Sequence, residues 1–390
     1  MPLRSNAPVR KRLVAMTFGI AVGLLIAEGV LRLTGMVSPP VYQRDLILGS
    51  RLRPDYAGWN TNEGKVFFRT NHAGFRDRDH TVAKPSDTLR IVVLGDSYCE
   101  AVQVELERTF WSVLERELNQ CELLTSKKIE VLNSGVSGYG TAQELLMLRH
   151  HLWKYEPDVV LLAFLSGNDI RNNSRELEPD SLKPFFTVQD DRLVLDDSFT
   201  EKPYFTSPWI RLKDELIRSS RLLYLLYQVR HRNDSANSAD AESLEVGLED
   251  FIYSEPTEQS QREAWRITER LIEEIHVEVE EHGAKLVIAT LTNPVQVHPD
   301  VTVRQAACSK LDVADLGYSD RRVASLASRL GCPAIVLAKP MAEYAEQHNV
   351  YLHGFENSQL GAGHWNETGH RVAGEILAAE LCRETRLWEP

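Results

Sequence analysis

The sequence has few cysteines and no metal-binding or nucleotide-binding motif. Its five cysteines are scattered over 390 residues without a C-x-x-C pair, which excludes a dense disulfide scaffold and argues against a cysteine-based zinc site. One disulfide is compatible with these positions, and Cys308 with Cys332 is a candidate, but the spacing does not fix a pairing. The histidines form no H-E-x-x-H pattern and the glycines form no G-x-G-x-x-G fingerprint. We therefore expect neither a metal nor a dinucleotide cofactor.

Long basic runs are also missing. The chain has 44 Lys and Arg against 56 Asp and Glu, a net charge of −12 with neutral histidines. Such a chain binds polyanions poorly, so nucleic acid is excluded as the main partner. The shares of hydrophobic residues (43%) and charged residues (26%) are those of a folded protein, which excludes collagen-like and wholly disordered chains.

One long apolar run stands near the N-terminus. It covers residues 13–27 without a charge and continues to about residue 37, interrupted only by Glu28 and Arg32. The uncharged part matches the core of a signal peptide, whereas roughly 20 residues are needed to cross a bilayer. The continuation makes a span feasible, because Glu28 and Arg32 are four residues apart and can pair on one helical face.

Basic residues precede this run at positions 4, 10, 11 and 12. The positive-inside tendency keeps such a segment in the cytoplasm and sends the following chain across the membrane. No clean A-x-A cleavage site follows. We therefore predict a cytoplasmic segment at 1–12, an uncleaved signal anchor at 13–36 and a periplasmic or extracellular remainder. A cleaved signal peptide and a buried soluble helix are the alternatives.

The rest of the chain divides into a lead-in, a regular domain and an insertion. Residues 37–88 predict short strands and loops. From residue 89 onward, helical patterns alternate with five short apolar runs, at 91–94, 129–132, 159–164, 285–289 and 334–337. Such alternation predicts a parallel sheet covered by helices on both faces. Residues 170–256 break the pattern with several prolines and acidic residues. We interpret them as an insertion in the 89–390 domain, either a solvated decoration or a lid or wall for substrate.

Small and polar residues follow three of the predicted strands and precede the last helix. The sequence Gly-Asp-Ser at 95–97 ends the first strand, Gly138 follows the second, and Gly-Asn-Asp at 167–169 follows the third. His-Trp-Asn stands at 364–366. Ligands of such sheets bind beyond the carboxyl ends of the strands. These residues include a hydroxyl nucleophile, an imidazole base and amide donors for an oxyanion, which are the groups that acyl transfer needs.

This ordered set resembles the SGNH, or GDSL-type, hydrolase superfamily over about residues 88–384. The segment F-R-T-N-H-A-G-F-R at 68–76 also looks like the lead-in of membrane-anchored bacterial members. The resemblance implies a three-layer α/β/α sandwich with a parallel, flavodoxin-like five-stranded sheet. It also implies Ser97 as nucleophile, His364 as base, and an oxyanion hole made of the N–H groups of Ser97 and Gly138 and the side chain of Asn168.

Carboxylates near these blocks are candidates for supporting roles. We expect Asp96 to hold the turn before Ser97 by local hydrogen bonds and Asp169 to brace its loop. The family usually has an aspartate two or three residues before the histidine, but positions 361 and 362 hold glycine and alanine. That aspartate normally orients the imidazole. We expect Glu356 or a backbone carbonyl to orient the imidazole here. The alternative is that the histidine is poorly oriented and activity is reduced.

The sequence therefore predicts a membrane-anchored, extracytoplasmic serine esterase. It would remove a small acyl group, such as acetyl, from a carbohydrate or lipid-like substrate. An O-acyltransferase of an envelope polysaccharide would use the same residues and differ only in the acceptor. A non-catalytic envelope binding protein that kept the fold is the third hypothesis, supported only by the missing aspartate. The sequence does not separate these hypotheses.

Overall fold

The computed structural model describes residues 7–124, 127–231 and 250–388, with side chains from Lys11 onward. The polar stretch of the insertion at 233–245 and the first six residues of the predicted cytoplasmic segment lie outside the described residues. Helix α1 (Ala7–Thr34) contains the apolar run. Its part from Lys11 to Thr34 is long and apolar enough to cross a membrane, and no residue of its most apolar stretch is buried inside the protein.

Two antiparallel hairpins form the lead-in. Strand β1 (Tyr42–Asp45) pairs with β2 (Gly49–Leu52), and β3 (Ala57–Asn60) pairs with β4 (Val66–Arg69). Along β4 burial alternates, since Val66 and Phe68 are buried while their neighbours are exposed, as a strand with one covered face requires. The segment after β4 is bound to the main sheet, where Asp77 accepts the N–H of Asn133 at 2.8 Å.

Five strands form the central sheet. The remaining strands are, in chain order, β5 (Thr88–Leu94), β6 (Lys128–Asn133), β7 (Val159–Phe164), β8 (Phe185–Gln189), β9 (Arg192–Asp196), β10 (Lys285–Thr290) and β11 (Ala334–Val336). The sheet order is β11-β10-β7-β5-β6, and every pairing in it is parallel. This is the flavodoxin-like order. The predicted strands and parallel sheet are confirmed. Strands β8 and β9 form a separate hairpin in the insertion.

Helices cover both faces of this sheet. The described helices after α1 are, in chain order, α2 (Ser97–Glu100), α3 (Phe110–Leu118), α4 (Thr141–Met147), α5 (Asp169–Asn172), α6 (Pro203–Thr206), α7 (Pro208–Ser219), α8 (Arg221–Arg230), α9 (Gln259–Glu281), α10 (Val301–Leu311), α11 (Tyr318–Leu330), α12 (Ala338–His348) and α13 (Glu367–Arg383), and not all of them lie on the sheet. Alternate residues of β5 point to opposite faces. Ile91 belongs to the core under α3 and α13, and Val92 belongs to the core under α4 and α9. The predicted three-layer α/β/α sandwich is therefore confirmed.

The disulfide joins a different pair from the predicted candidate. Cys121, just after α3, is bonded to Cys382 in α13, with 6.1 Å between their Cα atoms. Cys308 and Cys332 are free thiols, so the candidate pairing was wrong. The reason is tertiary: α3 and α13 pack against each other on one face of the sheet, which brings their ends together. Cys332 instead lies against the carbonyl of Ala327.

Candidate active site

Ser97 stands at the carboxyl end of β5, at the first residue of the short helix α2. Asp96 caps that helix, because its Oδ1 accepts the N–H of Tyr98 at 2.9 Å. This is the turn-holding role expected for Asp96. Gly95 is required here by close packing, since a Cβ at this position would overlap the thiol of Cys99. The strand, the glycine and the cap together fix Ser97 at the edge of the sheet where the active site lies.

The imidazole of His364 lies beside the Ser97 hydroxyl. The distance between Nε2 and Oγ is 2.8 Å, although 267 residues separate the two in sequence. His364 belongs to the loop before α13. Asn366 caps that helix by accepting the N–H groups of Thr368 and Gly369. The predicted nucleophile and base therefore meet, at a distance suited to proton transfer.

The acid that orients the imidazole is Glu63, from the lead-in. Its Oε2 makes a short hydrogen bond with Nδ1 of His364, and its Oε1 accepts the backbone N–H of the same residue at 3.4 Å. Glu356 is exposed to solvent. The expectation that Glu356 or a backbone carbonyl holds the ring was therefore wrong, and so was the alternative of an unoriented histidine. The arrangement places the proton on Nδ1 and leaves Nε2 free to accept from Ser97.

Glycine and asparagine contacts bring Glu63 to this position. Glu63 lies in the turn between β3 and β4, and the next residue, Gly64, is held by Asn357. Asn357 accepts the Gly64 N–H at 2.9 Å and donates to its carbonyl at 2.9 Å. On the other side, Gly363 has a φ of +72°, and a Cβ there would overlap Oε1 of Glu63. Only glycine at 363 lets the carboxylate approach the histidine.

The charges of this pair stabilise each other. Burial acts to lower the pKa of His364, but the hydrogen bond and charge of Glu63 outweigh it and raise that pKa above its usual value. Burial acts to raise the pKa of Glu63, but the hydrogen bond from His364 lowers it below its usual value. Glu63 is therefore ionised at neutral pH and favours the imidazolium that proton transfer creates.

A second, buried histidine holds the backbone before His364. The Nδ1 of His353 lies 2.8 Å from the carbonyl oxygen of Gly363, and its Nε2 lies 3.1 Å from the hydroxyl of Thr292. The indole of Trp365 donates to the same hydroxyl at 2.7 Å. Burial lowers the pKa of His353 to about 3, so this ring is neutral. It donates from Nδ1 to the carbonyl and positions the loop.

The three expected oxyanion donors, Ser97, Gly138 and Asn168, follow the carboxyl ends of β5, β6 and β7 at one edge of the sheet. The side-chain amide of Asn168 donates one hydrogen to Oδ2 of Asp96 in a short bond, which leaves its second hydrogen for a substrate oxygen. Within the part of the chain that the structure describes, the backbone N–H groups of Ser97 and Gly138 donate to no protein acceptor. Burial raises the pKa of Asp96 to about 6.

Buried side chains fix the loop that carries Gly138. Its carbonyl accepts from the ammonium of Lys183 at 2.7 Å, and Asn172 donates to the next carbonyl, that of Tyr139, at 3.2 Å. Lys183 belongs to the insertion and pairs with Glu178. Gly138 has a φ of +76°, a conformation that favours glycine. The insertion therefore supports the site.

Asp169 lies where a loop brace was expected. Its Oδ2 accepts the N–H of Leu165 at 2.7 Å, across the turn that follows β7. The side chain is buried beneath the site, and this burial raises its pKa well above the usual value.

An open cavity of about 1020 Å³ leads to His364. Glu63, Glu100 and Ser137 also line it. The end of α1 and the chain after it, from Thr34 to Tyr42, also line the cavity, as do Tyr224 and Gln228 of α8. Of the two interpretations of the insertion, this geometry matches a wall of the substrate space better than a solvated decoration.

Sequence reasoning missed Glu63, Lys183 and His353. No spacing links Glu63 to His364, since 301 residues separate them. The signal that was present is indirect: the missing carboxylate near position 361 required an acid from elsewhere. Lys183 lies in an insertion without a motif, and His353 has no distinguishing neighbours in sequence.

Comparisons with known proteins complete the description. No family model matches the chain, and no curated protein matches it. Among solved structures, the chain is similar to the acetyl xylan esterase AlAXEase, with 14% identity over 75% of this chain and 100% of that one and a TM-score of 0.38. It is similar to a lipase/acylhydrolase from Enterococcus faecalis, with 14% identity, coverages of 75% and 95% and a TM-score of 0.36.

A third similar structure is an acetylxylan esterase from Geobacillus stearothermophilus, with 10% identity, coverages of 77% and 96% and a TM-score of 0.38. At these identities and TM-scores, such likeness does not decide which reaction this chain catalyses. That question depends on its own side chains.

Proposed function

We propose that this protein is a serine esterase that works through an acyl-enzyme on Ser97. One observation carries the proposal: the hydroxyl of Ser97, the imidazole of His364 and the carboxylate of Glu63 are joined in a continuous chain of hydrogen bonds. A nucleophile, a base and a group that orients the base, placed in this way, are the recurring constellation of acyl transfer. The triad is recognised by geometry and not by sequence order.

The reaction takes place in two halves. Ser97 Oγ attacks the ester carbonyl carbon while Nε2 of His364 takes the hydroxyl proton. The tetrahedral oxyanion is held by the N–H groups of Ser97 and Gly138 and by Asn168, each such donor contributing roughly 10²–10³ in rate. The C–O bond to the alcohol then breaks, and His364 gives its proton to the leaving oxygen.

Water completes the turnover. It attacks the acyl carbon with His364 again acting as base, and the carboxylic acid leaves as Ser97 recovers its proton. Glu63 stays ionised throughout and stabilises the imidazolium in each half. The supporting carboxylates Asp96 and Asp169 position other groups and touch no reacting atom. Asp96 holds the side chain of Asn168, and Asp169 holds the turn that follows β7.

We further propose that α1 anchors the enzyme in a membrane, with the catalytic domain on the extracytoplasmic side. The exposed apolar surface of α1 supports this, because a core helix of a soluble protein would be covered. The basic residues before the run support the orientation. The disulfide between Cys121 and Cys382 supports an oxidising compartment. The ester substrate, carbohydrate or lipid-like, is then found at the cell envelope.

Of the alternatives, the binding-protein hypothesis loses its support. It rested on a missing acid, and Glu63 occupies that place. The O-acyltransferase hypothesis uses the same residues and differs in the acceptor alone, so it stays a prediction that added sugar acceptors would test.

The test is hydrolysis of p-nitrophenyl acetate by the full chain beside Ser97→Ala. We expect release of p-nitrophenol by the wild type and background release by the variant. p-Nitrophenyl acetate suits this test because it is a small ester and the cavity is open. Equal rates in two well-folded proteins would contradict the esterase proposal.

A further inference from the structure

An amphipathic helical pair, α7 and α8, projects from the insertion. Neither helix has a buried residue. On α7, Trp209 (77% exposed), Leu212 (50%) and Leu216 (50%) are spaced so that they share one face. On α8, Leu226 and Val229 are similarly exposed. Exposed apolar residues grouped in this way on adjacent helices indicate a contact surface.

This pair is fastened to the apolar helix α1. The carboxylate of Glu28 in α1 accepts the backbone N–H groups of Arg221 and Leu222 and the hydroxyl of Ser220, at 2.8–3.0 Å. It therefore caps the N-terminus of α8. Arg32, one turn further along α1, donates to the carbonyl of Ser219. The junction of α7 and α8 is therefore bound to the last two turns of α1, at the end where α1 would leave the bilayer.

The charge of the pair also suits a lipid surface. Within residues 208–230 the sequence has five basic residues, namely Arg211, Lys213, Arg218, Arg221 and Arg230, and two acidic ones, Asp214 and Glu215. The segment is therefore net positive in a chain whose total is −12. Basic residues beside an apolar face are typical of helices that lie in the interface of a membrane containing anionic lipids.

The opposite side of α8 lines the cavity that His364 also lines. Tyr224 and Gln228, one turn apart, line the cavity that leads to His364. At about 3.6 residues per turn, they lie on the side of α8 opposite to Leu226 and Val229. The chain that leaves α1 lines the same cavity. This cavity is therefore bounded in part by the two elements that would lie nearest to the lipid.

We infer that α7 and α8 rest in the membrane interface and that the cavity takes its ester from the bilayer. The substrate class is then an amphiphile whose ester group reaches Ser97 while its hydrocarbon part stays in the lipid. This inference rests on the proposed esterase activity and narrows its substrate. According to this inference, a lipid surface covers the exposed apolar face of α7 and α8.

The test compares two esters with the same reacting group. One is water-soluble p-nitrophenyl acetate, and the other is the acetate of p-nitrophenol with a hexadecyl chain on its ring, embedded in vesicles of phosphatidylcholine with or without phosphatidylglycerol. The full chain is reconstituted in the same vesicles. The variant Leu212→Asp/Leu216→Asp places two charges on the exposed face. The control Leu123→Asp/Val277→Asp places two charges on apolar residues exposed elsewhere.

We expect the Leu212/Leu216 variant to lose at least about tenfold in rate on the embedded ester, because interfacial binding scales with buried apolar area. Its rate on the soluble ester should match wild type, which also shows that it folds. The control should keep both rates. Adding phosphatidylglycerol should raise the wild-type rate on the embedded ester.

A second measurement reports the contact directly. Brominated phosphatidylcholine should quench part of the tryptophan fluorescence of the wild type, and Trp209→Phe should remove that part. Unchanged embedded-ester rates in the Leu212/Leu216 variant, absence of wild-type activity on the embedded ester, or quenching that Trp209→Phe leaves intact would each overturn the inference. Soluble-ester activity that persists in Ser97→Ala would instead overturn the esterase proposal.

Discussion

The carboxylate of Glu63 is hydrogen-bonded to Nδ1 of His364 although 301 residues separate them in the chain. The two residues come from different parts of the fold, a hairpin turn of the lead-in and a loop before the last helix. Asn357 fastens one to the other by holding both the N–H and the carbonyl of Gly64. The lead-in is therefore part of the active site, and the sandwich without it would lack the acid.

The pH dependence of the reaction follows from this contact. The base must be neutral, so kcat/KM should rise with pH through the pKa of His364, which Glu63 raises above its ordinary value against the effect of burial. A kcat/KM profile for p-nitrophenyl acetate would check it. A wild-type midpoint below the ordinary histidine value would contradict the account.

Gly363→Ala should lower activity by crowding Glu63. The added methyl group would overlap Oε1 of Glu63, and a displacement of about 1 Å in a catalytic group can cost about 10² in rate. Gly331→Ala is the matched control, because Gly331 has a similar φ of +75° but open space around a Cβ. Both variants should lose about 1–2 kcal/mol of stability from backbone strain. Only Gly363→Ala should lose kcat/KM, and equal losses would refute the contact.

The buried ammonium of Lys183 should affect the rate, because it binds the carbonyl of Gly138 and so positions the loop of an expected oxyanion donor. The double variant Lys183→Met/Glu178→Gln removes the whole ion pair and frees the carbonyl of Gly138. We expect kcat to fall by up to roughly 10²–10³, which is what one oxyanion donor contributes. KM should change little. Glu178→Gln alone keeps the ammonium on that carbonyl and should keep most of the rate. If both variants kept full kcat, the positioning role would be wrong.

The disulfide should stabilise the fold. Replacing Cys121 and Cys382 with serine is expected to lower the free energy of unfolding by about 2–5 kcal/mol, because the bond closes a loop of 261 residues. The same change at Cys308 and Cys332, which are free thiols, should have a much smaller effect. Urea unfolding of both double variants measures the difference, and the reverse ranking would contradict the pairing.

The sequence predicted what depends on local pattern. Continuous apolar runs such as 91–94 and 159–164 predicted buried parallel strands, and the observed strands contain them. Ser97 and His364 stand next to strand or helix ends, where side chains reach the edge of the sheet, and the resemblance of their motifs to a known hydrolase superfamily implied their roles. Their contact at 2.8 Å agrees with that expectation.

What the sequence could not predict depends on packing between distant segments. The pairing of Cys121 with Cys382 follows from the contact of α3 with α13, which no spacing encodes. Glu63 reaches His364 because Gly363 leaves room and Asn357 holds the hairpin. One acidic residue in a polar loop gives no sign of such a role, so Glu356, which is closer in sequence, was the natural but wrong candidate.

The most direct test replaces Glu63 and Glu356 with glutamine in turn. We predict that Glu63→Gln lowers kcat/KM for p-nitrophenyl acetate by about 10⁴, the loss in rate seen when the triad acid of a well-studied hydrolase becomes an amide, and moves the acid limb of its pH profile to lower pH. Glu356→Gln should leave both unchanged. A Glu63→Gln enzyme with wild-type rate and profile, or an equal loss in Glu356→Gln, would contradict the central claim that the lead-in completes the active site.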